Sequence, residues 1–292
     1  MRLLLRGCVF LLVVLVGVVT VPATTAAPPP TPTLVAIRAA HHPGFDRIVY
    51  EFRGGLPTSR QVRYVDSLTA DGSGEPVRIA GRAVLSVRFE PAQAHDADGP
   101  TAAVRKAFAL PNIMTTVRAG DFEAVTTYGI GLARRTPVRV TTLRHPSRVV
   151  VDVAAAFPTV QRKVYFLDRD NYAEGRRPYF SARLRPVPVR TPAVGVMDRL
   201  FAGPLPGEKA DGLELLRSGA TSFRDLRIAD QVARVRLTGG CSSGGSTVSV
   251  AGEIAPTLRQ FPTVDWVKIY DPAGQTETPT GRRDSIPECL EP

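Results

Sequence analysis

Between residues 34 and 153 apolar side chains recur at every second position in a series of short runs, and turn signals separate the runs. Ile48, Tyr50 and Phe52 share one face of the first run, Val62 and Tyr64 repeat the pattern, and Leu85, Val87 and Phe89 repeat it again. Further runs lie at 122–128, at 138–142 and at Val149, Val151 and Val153. A period of two places alternate side chains on opposite faces of a strand, so each run has one face to bury. The breaks are Asp71-Gly72-Ser73-Gly74, Asp98-Gly99-Pro100 and His145-Pro146. Many short strands with such breaks predict an all-β sandwich over residues 33–154. One piece, residues 102–108, reads as a helical turn.

The pattern changes after a short linker at 155–161. A strand is expected at 163–167, then a polar loop through Arg177, then a strand at 179–190 interrupted by Pro186 and Pro188. Prolines there suit an edge strand, because an edge can spare backbone donors. Thr191-Pro192 opens a helix, with proline at its first position, and Gly203-Pro204 closes it. Val194, Met197, Leu200 and Phe201 form its apolar stripe. Strands follow at 222–228 and 232–238. A second helix at 250–260 carries Val250, Ile254, Leu258 and Phe261 on one face, with an expected kink at Pro256. A strand at 264–270 closes residues 162–275. The expectation is a small α+β domain with two helices on one face of a sheet, followed by a tail at 276–292.

Charge and export narrow the partners. The net charge is +10 over 292 residues, and lysine occurs only at Lys106, Lys163, Lys209 and Lys268. This arginine-rich composition suggests a high-GC genome. A basic surface favours anionic partners such as nucleic acid, acidic lipid or acidic wall polymer. Arg2 and Arg6 precede an uncharged apolar run from Gly7 to Val21, and small residues follow it. That order is a secretory signal peptide over residues 1–27, with an apolar run shorter than the ~20 residues of a membrane span. Residues 28–32 form a proline-rich spacer. Export argues against a nucleic-acid partner. Cys8 precedes the apolar run, so a lipoprotein anchor is not expected, and the mature chain is expected to be soluble. Cys241 and Cys289 remain after cleavage, and an even count in an exported chain predicts one disulfide between them.

Several segments carry family resemblances. Leu200-Phe201-Ala202-Gly203-Pro204, Pro188-Val189-Arg190, Thr257-Leu258-Arg259-Gln260-Phe261-Pro262 and the run 264–269 resemble a GerMN domain. GerMN domains belong to sporulation and spore-germination envelope proteins. Phe45-Asp46-Arg47, Tyr64-Val65-Asp66, Gly120-Asp121-Phe122-Glu123, Tyr128-Gly129-Ile130-Gly131-Leu132 and the run 146–153 resemble an AMIN-like domain. AMIN-type domains are envelope modules that target partner domains to cell-wall sites. No catalytic residues come with that resemblance.

Gly240-Cys241-Ser242-Ser243-Gly244 spells a nucleophile elbow, and a wall hydrolase or esterase using Ser242 is one alternative reading. All the histidines (His41, His42, His95 and His145) lie upstream, against the chain order that an elbow needs. The turn also lacks the Lys-Ser/Thr ending of a phosphate-binding loop. Asp168, Asp170, Asn171 and Glu174, and likewise Asp96 and Asp98, read as solvated loop acids. No zinc spacing is present, so neither a metal nor a cofactor is expected.

In the closing strand, alternation points Val267 and Ile269 inward and Trp266, Lys268 and Tyr270 outward. In the preceding strand it leaves Arg234 and Arg236 outward. These five residues form a candidate binding face, arginines beside aromatics, suited to a glycan, an anionic polymer or a protein. Packing of the same face on the first domain or on the C-terminal tail is the open alternative. The sequence therefore reads as an exported, non-enzymatic envelope protein that binds cell-wall polymer or envelope protein. A structural assembly module is the remaining alternative.

Overall fold

The alternation at Ile48, Tyr50 and Phe52 buries all three side chains, with Tyr50 wholly enclosed. The computed structural model describes residues 30–292, so the expected signal peptide and the start of the spacer lie outside the described residues. The N-terminal strands are β1 (Thr33–His42), β2 (Phe45–Arg53), β3 (Ser59–Val65), β4 (Ala83–Glu90), β5 (His95–Asp96) and β6 (Gly99–Pro100). Then come β7 (Arg105–Ala107), β8 (Ile113–Phe122), β9 (Val125–Leu132), β10 (Val138–Leu143) and β11 (Ser147–Ala154). They form a sheet of order β1-β2-β11-β10 and a second of order β3-β4-β9-β8-β7. One core lies between them, with Tyr50 edge-on to Phe89 at 5.1 Å and Phe52 edge-on to the same ring. Each such ring contributes roughly 1.5–3 kcal/mol by leaving water.

Two expectations for this half are corrected. Residues 102–108 do not form a helical turn, because Arg105–Ala107 extends and pairs with β8 from Val117 to Thr115. Residues 122–128 are not one strand. Glu123 and Ala124 take left-handed backbone (φ 49° and 57°) and turn β8 back into β9. Asp46 is enclosed beneath the sandwich, and its Oδ2 accepts the backbone N–H groups of Asn112 (2.6 Å) and Ile113 (2.9 Å). Asn112 in turn donates to Thr136 Oγ1 and to the Ala154 carbonyl. The loop ahead of β8 is thereby fixed.

The C-terminal half begins with β12 (Thr159–Asp168), so the connection from the sandwich is only residues 155–158. Next come α1 (Arg169–Ala173), β13 (Phe180–Pro188), α2 (Pro192–Ala202), α3 (Pro206–Ala210) and β14 (Leu213–Glu214). The rest is β15 (Ala220–Ala229), β16 (Val232–Gly239), α4 (Val250–Arg259), β17 (Trp266–Tyr270) and a 3-10 turn at Glu288–Leu290. The loop acids before Arg177 are partly helical: Asp168 caps α1 by accepting from Asn171 N (3.0 Å) and also accepts from Ser181 Oγ (2.9 Å). α4 runs through Pro256 without a break, since one proline forfeits a single hydrogen bond in a helix held by packing.

The fold is mixed, a β-sandwich followed by an α+β layer, but the second layer contains two three-stranded sheets, β13-β12-β14 and β15-β16-β17. α4 explains the division. On the edge of β12 away from β13, Lys163 N donates to Gln260 Oε1 (2.9 Å), Tyr165 N to Thr257 Oγ1 (3.1 Å) and Leu167 N to Glu253 Oε1 (3.0 Å). Helix residues three and four apart share a face, and alternate N–H groups of a strand share an edge. Side chains of α4 therefore take the place of a neighbouring strand, and at Leu167 they satisfy a buried donor that would otherwise cost free energy. Gln260 also returns a bond from Nε2 to the Lys163 carbonyl at 2.6 Å.

Candidate functional site

The two halves, Thr31 to Pro292, make one compact unit. Ala80, Met114 and Ala133 of the sandwich belong to the same buried cluster as Val196, Leu200 and Phe201 of α2. Sequence patterning assigned α2 a single apolar stripe, yet Asp198 and Arg199 are buried as well. Arg199 projects from α2 into the loop ahead of β8. Its guanidinium donates to the carbonyls of Phe108 (3.0 Å), Pro111 (3.2 Å) and Leu110, with Ile113 at 3.5 Å. Burial pushes this guanidinium down to about 9, with the Arg185 charge adding to the effect and Asp46 and Asp198 opposing it. Beside it, Arg82 of the sandwich grips Asp198 with two nitrogens at 2.9 Å and lies over the Phe223 ring at 4.6 Å. Burial raises the Asp198 carboxyl to about 6 despite the attraction of Arg82.

A cleft of about 400 Å³ opens along this seam. Arg105 reaches it from β7 of the sandwich. Arg169, Lys209, Glu214 and Arg217 reach it from the C-terminal half, and Gly203-Pro204 at the end of α2 forms part of its wall. Gly203 has φ 88°, a left-handed value that glycine adopts without a Cβ penalty, so the chain turns away from α2 there. Glu214 approaches Arg169 at 3.8 Å. Among the described residues Arg105, Lys209 and Arg217 have no carboxylate within ion-pair reach. Arg105 is instead oriented by a hydrogen bond to the Arg78 carbonyl. Burial lowers Arg105 to about 10, and the charges of Arg217 and Arg78 lower it further. Arg217 is lowered by burial and by Arg78, against Glu253. Patterning missed this group because its members come from two short strands, two short helices and a loop, with no common spacing.

The five residues of the expected binding face lie on β16 and β17. Arg234 and Lys268 are register partners in parallel strands, as are Arg236 and Tyr270, so the residues do share one sheet. The C-terminal tail settles against that sheet. Ser285 bridges to Lys268, Ile269 N donates to the Ser285 carbonyl (2.9 Å) and Ser285 N to the Val267 carbonyl (3.1 Å). Lys268 is wholly buried and donates to the carbonyls of Thr278 (2.5 Å) and Thr280 (3.0 Å). Its ammonium is lowered, first by burial and then by Arg234 and Arg283. Arg236 donates to the Pro272 carbonyl at 2.9 Å. The tail thus packs on part of this face, the alternative left open by the sequence, while Trp266 remains 36% exposed and Arg234, Arg236 and Tyr270 are half-buried.

Cys241 and Cys289 form a disulfide, and Ser243 N donates to the Cys289 carbonyl at 2.7 Å. This fastens the tail to the Gly/Ser turn after β16. Ser242 Oγ accepts from Gly244 N (3.1 Å) within that turn. His41 pairs with Asp46 and His95 with Asp121 in the sandwich, so the structure does not bring a histidine to Ser242. Among the described residues no group of three or more His, Cys, Asp or Glu is placed to hold a metal. A second groove, about 740 Å³, lies beside the disulfide and is lined by Asp271, Glu277, Glu288 and Glu291. Its charge is opposite to that of the seam.

No curated protein and no solved structure matches the chain. Family models do match it. Residues 32–155 match the AMIN-like domain, and residues 163–271 match the family described as sporulation and spore germination. The chain therefore carries an AMIN-like domain followed by a sporulation and spore germination (GerMN) domain.

Proposed function

We propose that this protein is a non-enzymatic, extracytoplasmic binding protein of the cell envelope, in which the two domains act as one rigid recognition unit. Both family matches point to an extracytoplasmic, envelope or sporulation-related role. No helix among the described residues is long and apolar enough to cross a membrane. The observation that carries the reading is the shared core of the two domains, closed by Arg199, with a cationic cleft along the seam. Partners are cell-wall polymer or envelope proteins. The direct experiment is retention of the purified protein on cell wall and on membrane extract, at low and at high salt. Charge-driven retention falls as ions screen the surface, while a specific protein contact persists. Absence of retention on either material, or turnover of a wall bond by the pure protein, overturns the reading.

A further inference from the structure

Some cationic groups elsewhere on the molecule are matched by carboxylates. Arg38 and Arg148 meet Glu51, Arg47 meets Asp152, Arg118 meets Asp121 and Arg185 meets Glu208. In the seam cleft, unmatched cations line a single cavity. Four cationic side chains line it, Glu214 is its only carboxylate, and that carboxylate already faces Arg169. Like charges gathered in a half-buried cleft repel one another more strongly than in bulk water. Such a group is relieved by an anion bound between its members.

We propose that the seam cleft is an oxyanion site that takes a phosphate-type group, free or carried on an anionic polymer, with Arg105, Lys209 and Arg217 as its donors. The inference rests on the envelope-binding reading and names the chemistry of its ligand. The two guanidinium groups offer planar forks, and the ammonium offers a point charge from a third direction. A tetrahedral phosphate presents oxygens to several donors at once, whereas one carboxylate is filled by a single fork. The volume of about 400 Å³ lies within the ~300–1,000 Å³ range of small-ligand sites. Arg105 comes from the AMIN-like domain and the other donors from the GerMN domain, so the site exists only when the two are docked.

The test is calorimetric titration of the purified protein, at fixed ionic strength, with inorganic phosphate, with a glycerol-phosphate oligomer and with poly-glutamate. Phosphate-bearing ligands are expected to bind, and Arg105→Gln with Arg217→Gln together are expected to weaken them about tenfold or more. Arg217→Lys keeps the charge, loses the fork and gives an intermediate loss. Arg139→Gln, on exposed β10, leaves binding unchanged. Tighter binding of the oligomer than of inorganic phosphate identifies a polymer-borne ligand, and equal binding identifies the free ion. The double variant loses mutual repulsion, so in phosphate-free buffer it melts no lower than the parent, which separates lost binding from lost folding. Unchanged binding in the double variant, an equal loss in Arg139→Gln, or poly-glutamate bound as tightly as phosphate overturns the proposal. Retention on cell wall that survives in the double variant overturns the cleft assignment and leaves envelope binding standing. A parent protein that binds phosphate but is not retained on envelope material overturns the envelope reading instead.

Discussion

The guanidinium of Arg199 in the GerMN domain donates to the carbonyl oxygen of Phe108 in the AMIN-like domain at 3.0 Å. The acceptor loop is held from behind by Asp46, which takes the N–H groups of Asn112 and Ile113. Arg199 thus closes a line of contacts running from the base of the sandwich into α2. Arg199→Ala would leave buried carbonyls without donors, at about 1–3 kcal/mol for each group not reached by water. The expected result is a loss of at least about 3 kcal/mol and a splitting of one melting transition into two as the domains uncouple. Differential scanning calorimetry reads both, and a single unshifted transition would refute the coupling.

Asp198 gives the same seam a pH dependence. Its carboxyl is raised to about 6 from 3.8, chiefly by burial, so the fold favours the protonated form. The stability linked to this group is complete below its ordinary value and is lost as the pH climbs through about 6. The full change is on the order of 3 kcal/mol. Asp198→Asn mimics the neutral state and keeps one acceptor for Arg82. It should flatten the stability profile between pH 4 and pH 6, the range spanned by the two values, with little change at the acid end. Urea denaturation across that range checks this, and an equally steep profile in the variant would refute it.

How much of this was legible in the sequence depended on what each segment uses to hold its place. Ile48, Tyr50 and Phe52 declare a strand because burial on one face imposes a period of two. The hairpin at Glu123 and Ala124 was hidden, since neither residue is a usual choice for left-handed backbone. The motif Tyr128-Gly129-Ile130-Gly131-Leu132 was readable as a pattern but not as a cause. A Cβ at Gly131 would run into the Ala80 carbonyl, so glycine there admits a second chain segment against β9. Arg199 was opaque for a different reason. Binary patterning sends a charged helix residue to solvent, and only the tertiary arrangement supplies the carbonyls that bury it. The tail was opaque likewise, because it docks through backbone bonds and Lys268, which leave no periodic trace.

The edge of β12 tests the claim that helix side chains can replace a strand. Thr257 is wholly buried, and its Oγ1 accepts from Tyr165 N at 3.1 Å. Thr257→Val keeps the shape and removes the acceptor, so a loss of about 1–3 kcal/mol is expected. Glu253 accepts from Leu167 N (3.0 Å) and Leu216 N (3.1 Å), and burial outweighs both bonds to raise its carboxyl well above the usual range. Its linked stability is present at acid pH and is lost as the pH rises through the shifted value. Glu253→Gln turns an amide NH₂ toward one of the two N–H groups, so it costs stability while removing that pH dependence. Amide hydrogen exchange at Tyr165 and Leu167 reports the two sites separately. Protection unchanged in Thr257→Val would show that the strand edge is held by something else.

The disulfide between Cys241 and Cys289 closes a loop of 48 residues that contains α4, β17 and the tail. In the chain-entropy model such a closure is worth about 4 kcal/mol. Cys289→Ser should cost stability on that scale. It should also loosen the tail, which is otherwise held by hydrogen bonds of Ser285 and the Thr278 and Thr280 carbonyls to β17, by the Arg259–Asp284 pair and by burial of Leu290. Release would uncover Lys268 and the free edge of β17 and free the backbone around the already exposed Arg282 and Arg283. Limited trypsin digestion of the variant, or of the parent under reducing conditions, should cut first at those arginines while the rest stays intact. Phosphate binding at the seam should be unaffected, because no residue of that cleft lies in the tail. Cutting no faster than in the oxidised parent would show that the remaining contacts hold the tail without the cystine.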